Sequence, residues 1–220
     1  MRGCRGRAYS VRAGPRTSCT SPAAATFWWQ ADVLRSGVGA QAQWLQFLEI
    51  VLLADLTQYW VHRGFHTQRR LWPFHAVHHS SRAMDWLAGS RLHLVDIVIT
   101  RALVLLPVVL LGFSMQAVYA YLVFVAAHAV FVHANVRFRF GWLENLLVTP
   151  RFHHWHHSAA AEAVNRNFAV HFPWLDRLFG THYLPAGDRW PDDYGVAGDP
   201  VPIGYLAQLL YPVKRQNRGG

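Results

Sequence analysis

Residues Leu92–Val132 read LHLVDIVITRALVLLPVVLLGFSMQAVYAYLVFVAAHAVFV, 41 residues in which Asp96 and Arg101 are the only charges. The run is too long for one bilayer crossing of about 20 residues and suits two. Gly112-Phe113-Ser114 lies midway and carries a turn signal, so the stretch predicts a helical hairpin. Pro107 would kink the first arm, which membrane helices tolerate. Asp96 and Arg101 sit in the first turns, from where their side chains can reach the interface. Upstream, Trp44–Val61 (WLQFLEIVLLADLTQYWV) is an 18-residue helical stretch interrupted by Glu49 and Asp55, suited to a third span or to a buried core helix.

Composition agrees with this layout. Of 220 residues, 52% are hydrophobic and only 15% charged, against about 25% charged in an ordinary soluble domain. Disorder, a coiled coil and a highly charged nucleic-acid binder are excluded. The net charge of +9 is carried by arginine, with Lys214 the single lysine. Arg63, Arg69, Arg70, Arg82 and Arg91 lie between the first span and the hairpin, and Arg137, Arg139, Arg151 and Arg166 follow it, while the hairpin turn is uncharged. The positive-inside rule puts both arginine-bearing segments in the cytoplasm. The expected fold is therefore all-α: a multi-pass membrane protein with a transmembrane hairpin and a cytoplasmic, histidine-rich helical cap. Trp60, Trp72, Trp86, Trp142 and Trp155 are read as an interfacial belt. Ile203–Tyr211 is too short to span and is placed in the interface, ahead of the basic residues Lys214, Arg215 and Arg218. Residues 1–40, rich in Arg, Ser, Gly and Ala, are read as a disordered tail or a mis-assigned start. The membrane domain then covers residues 41–212, with a basic tail over 213–220. Cys4 and Cys19 are the only cysteines, which excludes a disulfide framework and a cysteine zinc site.

Fourteen histidines outnumber twelve acids. His62 and His66 form H-x-x-x-H; His75, His78 and His79 form H-x-x-H-H; His153, His156 and His157 repeat it, with His154 inside. Positions i, i+3 and i+4 share a helix face, so each cluster can aim several imidazoles at one point. The predicted hairpin starts at His93 and ends at His133, returning both to the side that carries the clusters. Eight clustered histidines plus His133 suffice for two metal ions. Neutral imidazole suits iron, zinc, copper and nickel. The H-E-x-x-H pattern of zinc proteases and the Glu-rich pattern of soluble di-iron bundles are both absent. A nitrogen-rich iron pair that activates dioxygen fits best. A non-catalytic membrane zinc-binding or zinc-transport protein is the alternative, and transport would place ionisable ligands inside the spans. A soluble globular metalloenzyme would require Leu92–Val132 to be a buried hairpin.

The run from about Trp44 to Pro212 resembles the fatty acid hydroxylase/sterol desaturase superfamily of membrane histidine-box enzymes. The pieces that carry the resemblance are DLTQYWVHRGFH, LWPFHAVHHS, RLHLVD, FVHANV, VTPRFHHWHHS and NFAVHFPWLDRLFGTHY. It implies an O2-dependent hydroxylase or desaturase with two irons (or zinc in their place), acting on a lipid such as a fatty acid or sterol. Electrons would come from a separate ferredoxin or cytochrome b5 type donor. On this match His62, His66, His75, His78, His79, His133, His153, His156 and His157 would be metal ligands. Asn135, Asn167 and Asp176 would orient imidazoles. His93 falls where the family commonly has R-x-H-P-x-E, here with Leu94 and Asp96 in place of proline and glutamate. His93 and His128 stand as further candidate ligands, and His154, His171 and His182 as peripheral.

Overall fold

The computed structural model describes residues 32–196 and 200–217. Most of the Arg-rich segment, with Cys4 and Cys19, and the end of the basic tail with Arg218 lie outside the described residues. After a helical stretch at 32–39, seven helices follow. They are α1 (Gln43–Thr67), α2 (Trp72–His79), α3 (Leu94–Leu110), α4 (Met115–His133), α5 (Pro150–His156), α6 (Trp174–Leu178) and α7 (Tyr205–Asn217). Among the described residues there is no strand, only an isolated bridge between Ser158 and Tyr194.

Local sequence explains the boundaries. Pro73 and Pro150 sit in the first turns of α2 and α5, where no N–H is needed. His93 caps α3 by accepting from Val95 N at 3.1 Å, and Ser114 caps α4 by accepting from Ala117 N at 3.3 Å. The α3–α4 turn falls at the predicted residues. Gly112 there has φ +78°, and an added Cβ would lie 2.9 Å from Arg35 Cβ, so both conformation and space demand glycine. The two arms pack mainly on α1, which lies between them. Ile50, Val51 and Ala54 of α1 meet Val104 and Val108 of α3 and Ala117, Val118 and Tyr121 of α4. Gln46 of α1 secures the far end: its amide donates to Gln41 O at 2.9 Å and accepts from Ser114 N at 2.8 Å.

The outer surface of this trio is apolar. Trp44, Leu48, Leu52, Leu56 and Trp60 recur every four residues along α1 and are all exposed, as are Val98 and Val109 on α3 and Tyr119 and Val123 on α4. Polar Gln46, Asp55 and Asp96 face inward and are buried. Exposed apolar area of this extent marks a surface that water does not normally cover. Among the described residues, one helix, Met115–His133, is long and apolar enough to cross a membrane.

Three sequence expectations change. α1 continues six residues past Val61, so His62 and His66 ride on the helix itself. Asp96 does not reach outward: it is buried against His75. Trp155 is not in an interfacial belt, since it is buried with its indole N–H donating to Arg189 O at 3.3 Å; Trp60, Trp86 and Trp142 are exposed.

Candidate metal centre

Nine histidines converge at the ends of α1, α2, α4 and α5. They form two groups. His62, His66, His75, His79 and His156 make one; His78, His133, His153 and His157 make the other, and within each group the nearest nitrogens lie within 4.8 Å of one another. The sequence clusters do not each aim at a single point. On α2, His75 and His79 are four residues apart and share a face, while His78 turns to the second group. On α5 the division is reversed: His153 and His157 go together and His156 crosses to the first group. The groups abut, with the His79 and His157 rings stacked at 4.2 Å.

The outward nitrogens are anchored. His62 Nδ1 lies 2.8 Å from Phe168 O, His156 Nδ1 2.8 Å from Arg166 O, His133 Nδ1 2.7 Å from Ala129 O and His78 Nδ1 3.2 Å from Arg91 O. His75 Nδ1 lies 2.7 Å from Asp96 Oδ2. Carbonyls and carboxylates only accept, so each of these Nδ1 atoms carries the hydrogen and donates it. Each Nε2 is then a bare lone pair. Yet His62 Nε2 stands 3.0 Å from His75 Nε2, and His133 Nε2 stands 3.4 Å from His78 Nε2. Two bare lone pairs at that separation repel and cannot hydrogen-bond. Burial works against protonating most of these rings. Burial, and next the neighbouring His75, lower the His62 pKa to about 3, and burial first of all holds His66, His78, His79, His153, His156 and His157 well below the usual imidazole range.

A cation between the rings removes the difficulty. His66 Nε2, His79 Nε2 and His156 Nε2 are buried with no hydrogen-bond partner, a costly state for a polar atom unless an ion satisfies it. Nitrogens about 2.1 Å from a shared ion stand about 3.0 Å apart along an octahedral edge and about 3.4 Å apart along a tetrahedral one. The observed Nε2 separations of 3.0, 3.0, 3.2 and 3.4 Å match. Neutral, buried, pre-oriented imidazoles fit metal ions at both groups.

The frame around the rings comes largely from the loop after α5. Asp176, fully buried, accepts from Phe168 N at 2.7 Å and Ala169 N at 2.8 Å, holding the carbonyl that orients His62. Asn167, also fully buried with φ +61°, donates to Tyr183 O at 2.7 Å and Phe152 O at 3.2 Å. Both therefore act on the backbone beside the rings and touch no imidazole of the two groups. Asn135 is solvent-exposed past the end of α4. His93 and His128 stay outside both groups: His93 Nε2 pairs with Leu209 O at 3.1 Å and His128 Nε2 with Val148 O at 3.0 Å. His154, buried, pairs with Tyr194 and Ala134 O, and His171 with His128. Arg151 on α5 donates to Glu144 and to the carbonyls of Pro185 and Gly187, tying the helix to the segment beyond α6.

Two acids of the frame have no place in the sequence-based site. Asp55 of α1 accepts from Val170 N, His171 N and Phe172 N at 2.7–3.0 Å, and Asp96 orients His75. The signal for both was available: an ionisable residue inside an apolar helix is a candidate for function. Gly89 is also part of the frame, since a Cβ there would lie 2.9 Å from His133 Nδ1. Beside the five-histidine group a cavity of about 280 Å³ opens, lined by His66, His79, His156, Trp72, Ser158 and Val164.

The chain is 34% identical to an ornithine lipid hydroxylase of Rhizobium tropici over 180 residues, covering 80% of this chain and 54% of that protein. It is 30% identical to an alkylglycerol monooxygenase of Danio rerio over 66% of this chain and 31% of the relative. Against a methylsterol monooxygenase of Arabidopsis thaliana the identity is 24% over 62% of this chain and 47% of the relative. The chain thus spans about half the length, or less, of these curated relatives. No solved structure matches it. The family model for fatty acid hydroxylases matches residues 47–181, which include all nine clustered histidines, and the chain belongs to that family.

Proposed function

We propose that this chain is an O2-dependent lipid hydroxylase whose two histidine groups each hold an iron ion. The observation that carries the proposal is the set of buried, neutral imidazoles whose bare nitrogens face one another at 3.0–3.4 Å. Relatives named as hydroxylase and monooxygenases support oxygenation, and their names support a lipid substrate. His62, His66, His75, His79 and His156 would hold one ion, and His78, His133, His153 and His157 the other. Two irons so held supply dioxygen activation and the power to cleave an unactivated C–H bond, which no protein side chain can do alone. The chain's own contribution is to keep the imidazoles neutral by burial and to aim them through their Nδ1–H bonds. Asp96 accepts from His75 and fixes that ring's tautomer and orientation. The cavity at His66, His79 and His156 is the reachable side of the centre.

We place α3, α4 and α1 up to Val61 in the bilayer, so that residues 41–212 form one multi-pass membrane domain, flanked by residues 1–40 and the basic tail 213–220. The exposed apolar faces of these helices, with Gln46, Asp55 and Asp96 turned inward, support this. The arginines flanking the hairpin support a cytoplasmic metal centre, reachable by a separate electron donor. The histidine groups lie at or beyond the ends of the proposed spans, which favours an enzyme over a zinc transporter with ligands at mid-membrane depth.

The test is metal analysis of detergent-purified protein with His78→Ala, His79→Ala, His156→Ala or His157→Ala, coupled to lipid profiling of cells with and without the gene. Each variant should lose bound iron and a lipid product carrying one added oxygen atom. Wild-type metal content in all four variants would reject the proposal. A wild-type protein holding zinc and consuming no dioxygen would favour the zinc-binding alternative.

A further inference from the structure

Tyr59 and Trp60 precede His62 on α1 and belong to neither histidine group. Tyr59 is fully buried and Trp60 half exposed. Aromatic rings join them to the five-histidine group without a gap. Trp60 lies 5.4 Å from Tyr59 and 4.9 Å from Phe179, measured between ring centres. Tyr59 lies 5.0 Å from Phe179 and 6.0 Å from Phe168, and Phe168 lies 5.2 Å from His66 and 5.8 Å from His62. A hydrogen-bond chain runs alongside. Thr181 Oγ1 donates to Asp176 Oδ1 at 2.6 Å. Its single hydrogen is thereby committed, so the Tyr59 hydroxyl is the donor in its 2.8 Å contact with Thr181. Arg63 Nη1 donates to the Tyr59 oxygen at 3.2 Å. A phenol yields an electron readily when its proton has a place to go, and here Thr181 and the Asp176 carboxylate provide it.

We propose that Tyr59 and Trp60 form a relay through which an oxidising equivalent would leave the metal centre after reaction with dioxygen in the absence of lipid. The proposal rests on the oxygenase reading above. In each pass Tyr59 would give up one electron toward the two histidine groups and the ions they would hold. The Tyr59 O–H bond breaks, its proton moves to the Thr181 oxygen, and the Thr181 proton moves to Asp176, leaving a neutral Tyr59 radical. Trp60 then supplies an electron to Tyr59, whose proton returns by the same chain, and the Trp60 indole proton leaves to water. A solution reductant such as a thiol restores Trp60 with one electron and one proton. The protein is unchanged at the end, and the solution reductant has been oxidised by one electron.

The full chain in detergent, loaded with iron(II) and mixed with dioxygen without lipid, would be frozen at successive times and read by electron paramagnetic resonance. An organic radical signal is expected, altered in shape by ring-deuterated tyrosine and lost in Tyr59→Phe. In Trp60→Phe the tyrosyl signal should outlast that of the wild type. Both variants should keep the wild-type iron content and initial rate with lipid, yet stop after fewer turnovers. Iron-loaded wild type that consumes dioxygen without a protein radical would overturn the proposal, as would a signal unchanged in both variants. A tyrosyl signal that decays as fast in Trp60→Phe as in the wild type would also overturn it. Wild type that holds no iron, read by metal analysis of the same samples, removes the oxygenase reading and the relay with it.

Discussion

At the scale of single residues, this protein is organised by the two nitrogens of imidazole. In five of the nine clustered rings Nδ1 is tied to a carbonyl or carboxylate, and Nε2 faces the neighbouring rings. His79→Ala should remove the ion of the five-histidine group and His157→Ala that of the other. His93→Ala and His128→Ala, whose rings satisfy backbone carbonyls elsewhere, should keep full metal content on elemental analysis. Asp96→Asn keeps the shape but weakens the partner of His75, and should lower metal affinity about 10–100-fold in a competition titration with a chelator. Gly89→Ala would push a methyl group onto the His133 ring and should deplete the four-histidine group. Eight of the nine rings were legible from helical spacing, and His133 from the hairpin that returns it to the same side. Their division was not, because whether His78 joins His75 or His133 depends on where α4 and α5 end up, not on the spacing within α2.

At the scale of elements, the decisive unit is the segment 166–172, which the sequence presents as a loop without periodicity. It carries the carbonyls that aim His62 and His156, and its own N–H groups are held by two buried carboxylates. Asp176 takes residues 168 and 169, and Asp55, from α1, takes 170 through 172. Asp55→Ala leaves three buried N–H groups without acceptors and should destabilise the protein by about 3 kcal/mol or more, with metal loss following the loosened segment. Thermal denaturation in detergent with parallel metal analysis checks this. The hairpin turn at Gly112–Ser114 was legible, because an apolar run too long for one span must reverse somewhere and glycine marks where. The packing of both arms on α1 was not, since a pattern of apolar residues fixes which faces are buried and not what buries them.

At the scale of the whole molecule, the proposed metal binding would be coupled to folding. Burial holds the His62 pKa at about 3, while the same group in the unfolded chain titrates near 6.5. Between those values the unfolded chain binds more protons, so stability rises with pH across this window and is lost as pH falls below about 6.5. The other buried histidines, shifted in the same direction, add to the effect. Acidification from neutral pH should therefore release metal and lower the denaturation temperature together, an outcome that calorimetry and metal analysis can check. With its apolar helices outward, the protein should stay in the membrane pellet through an alkaline carbonate wash and enter solution only with detergent.

What the sequence determined by itself was chemical type and local repeat: imidazoles at i, i+3 and i+4, an apolar run of double length, arginines on its flanks. Those follow from residue identity and helix geometry, which act over a few positions. The tertiary structure alone decided which rings share a group, that Asp55 and Asp96 serve the interior rather than its edge, and that Asn135 stands in solvent. These depend on contacts between positions as distant as Asp55 and Phe172. Such contacts arise only where separate helix faces meet, and no local periodicity encodes which faces those are.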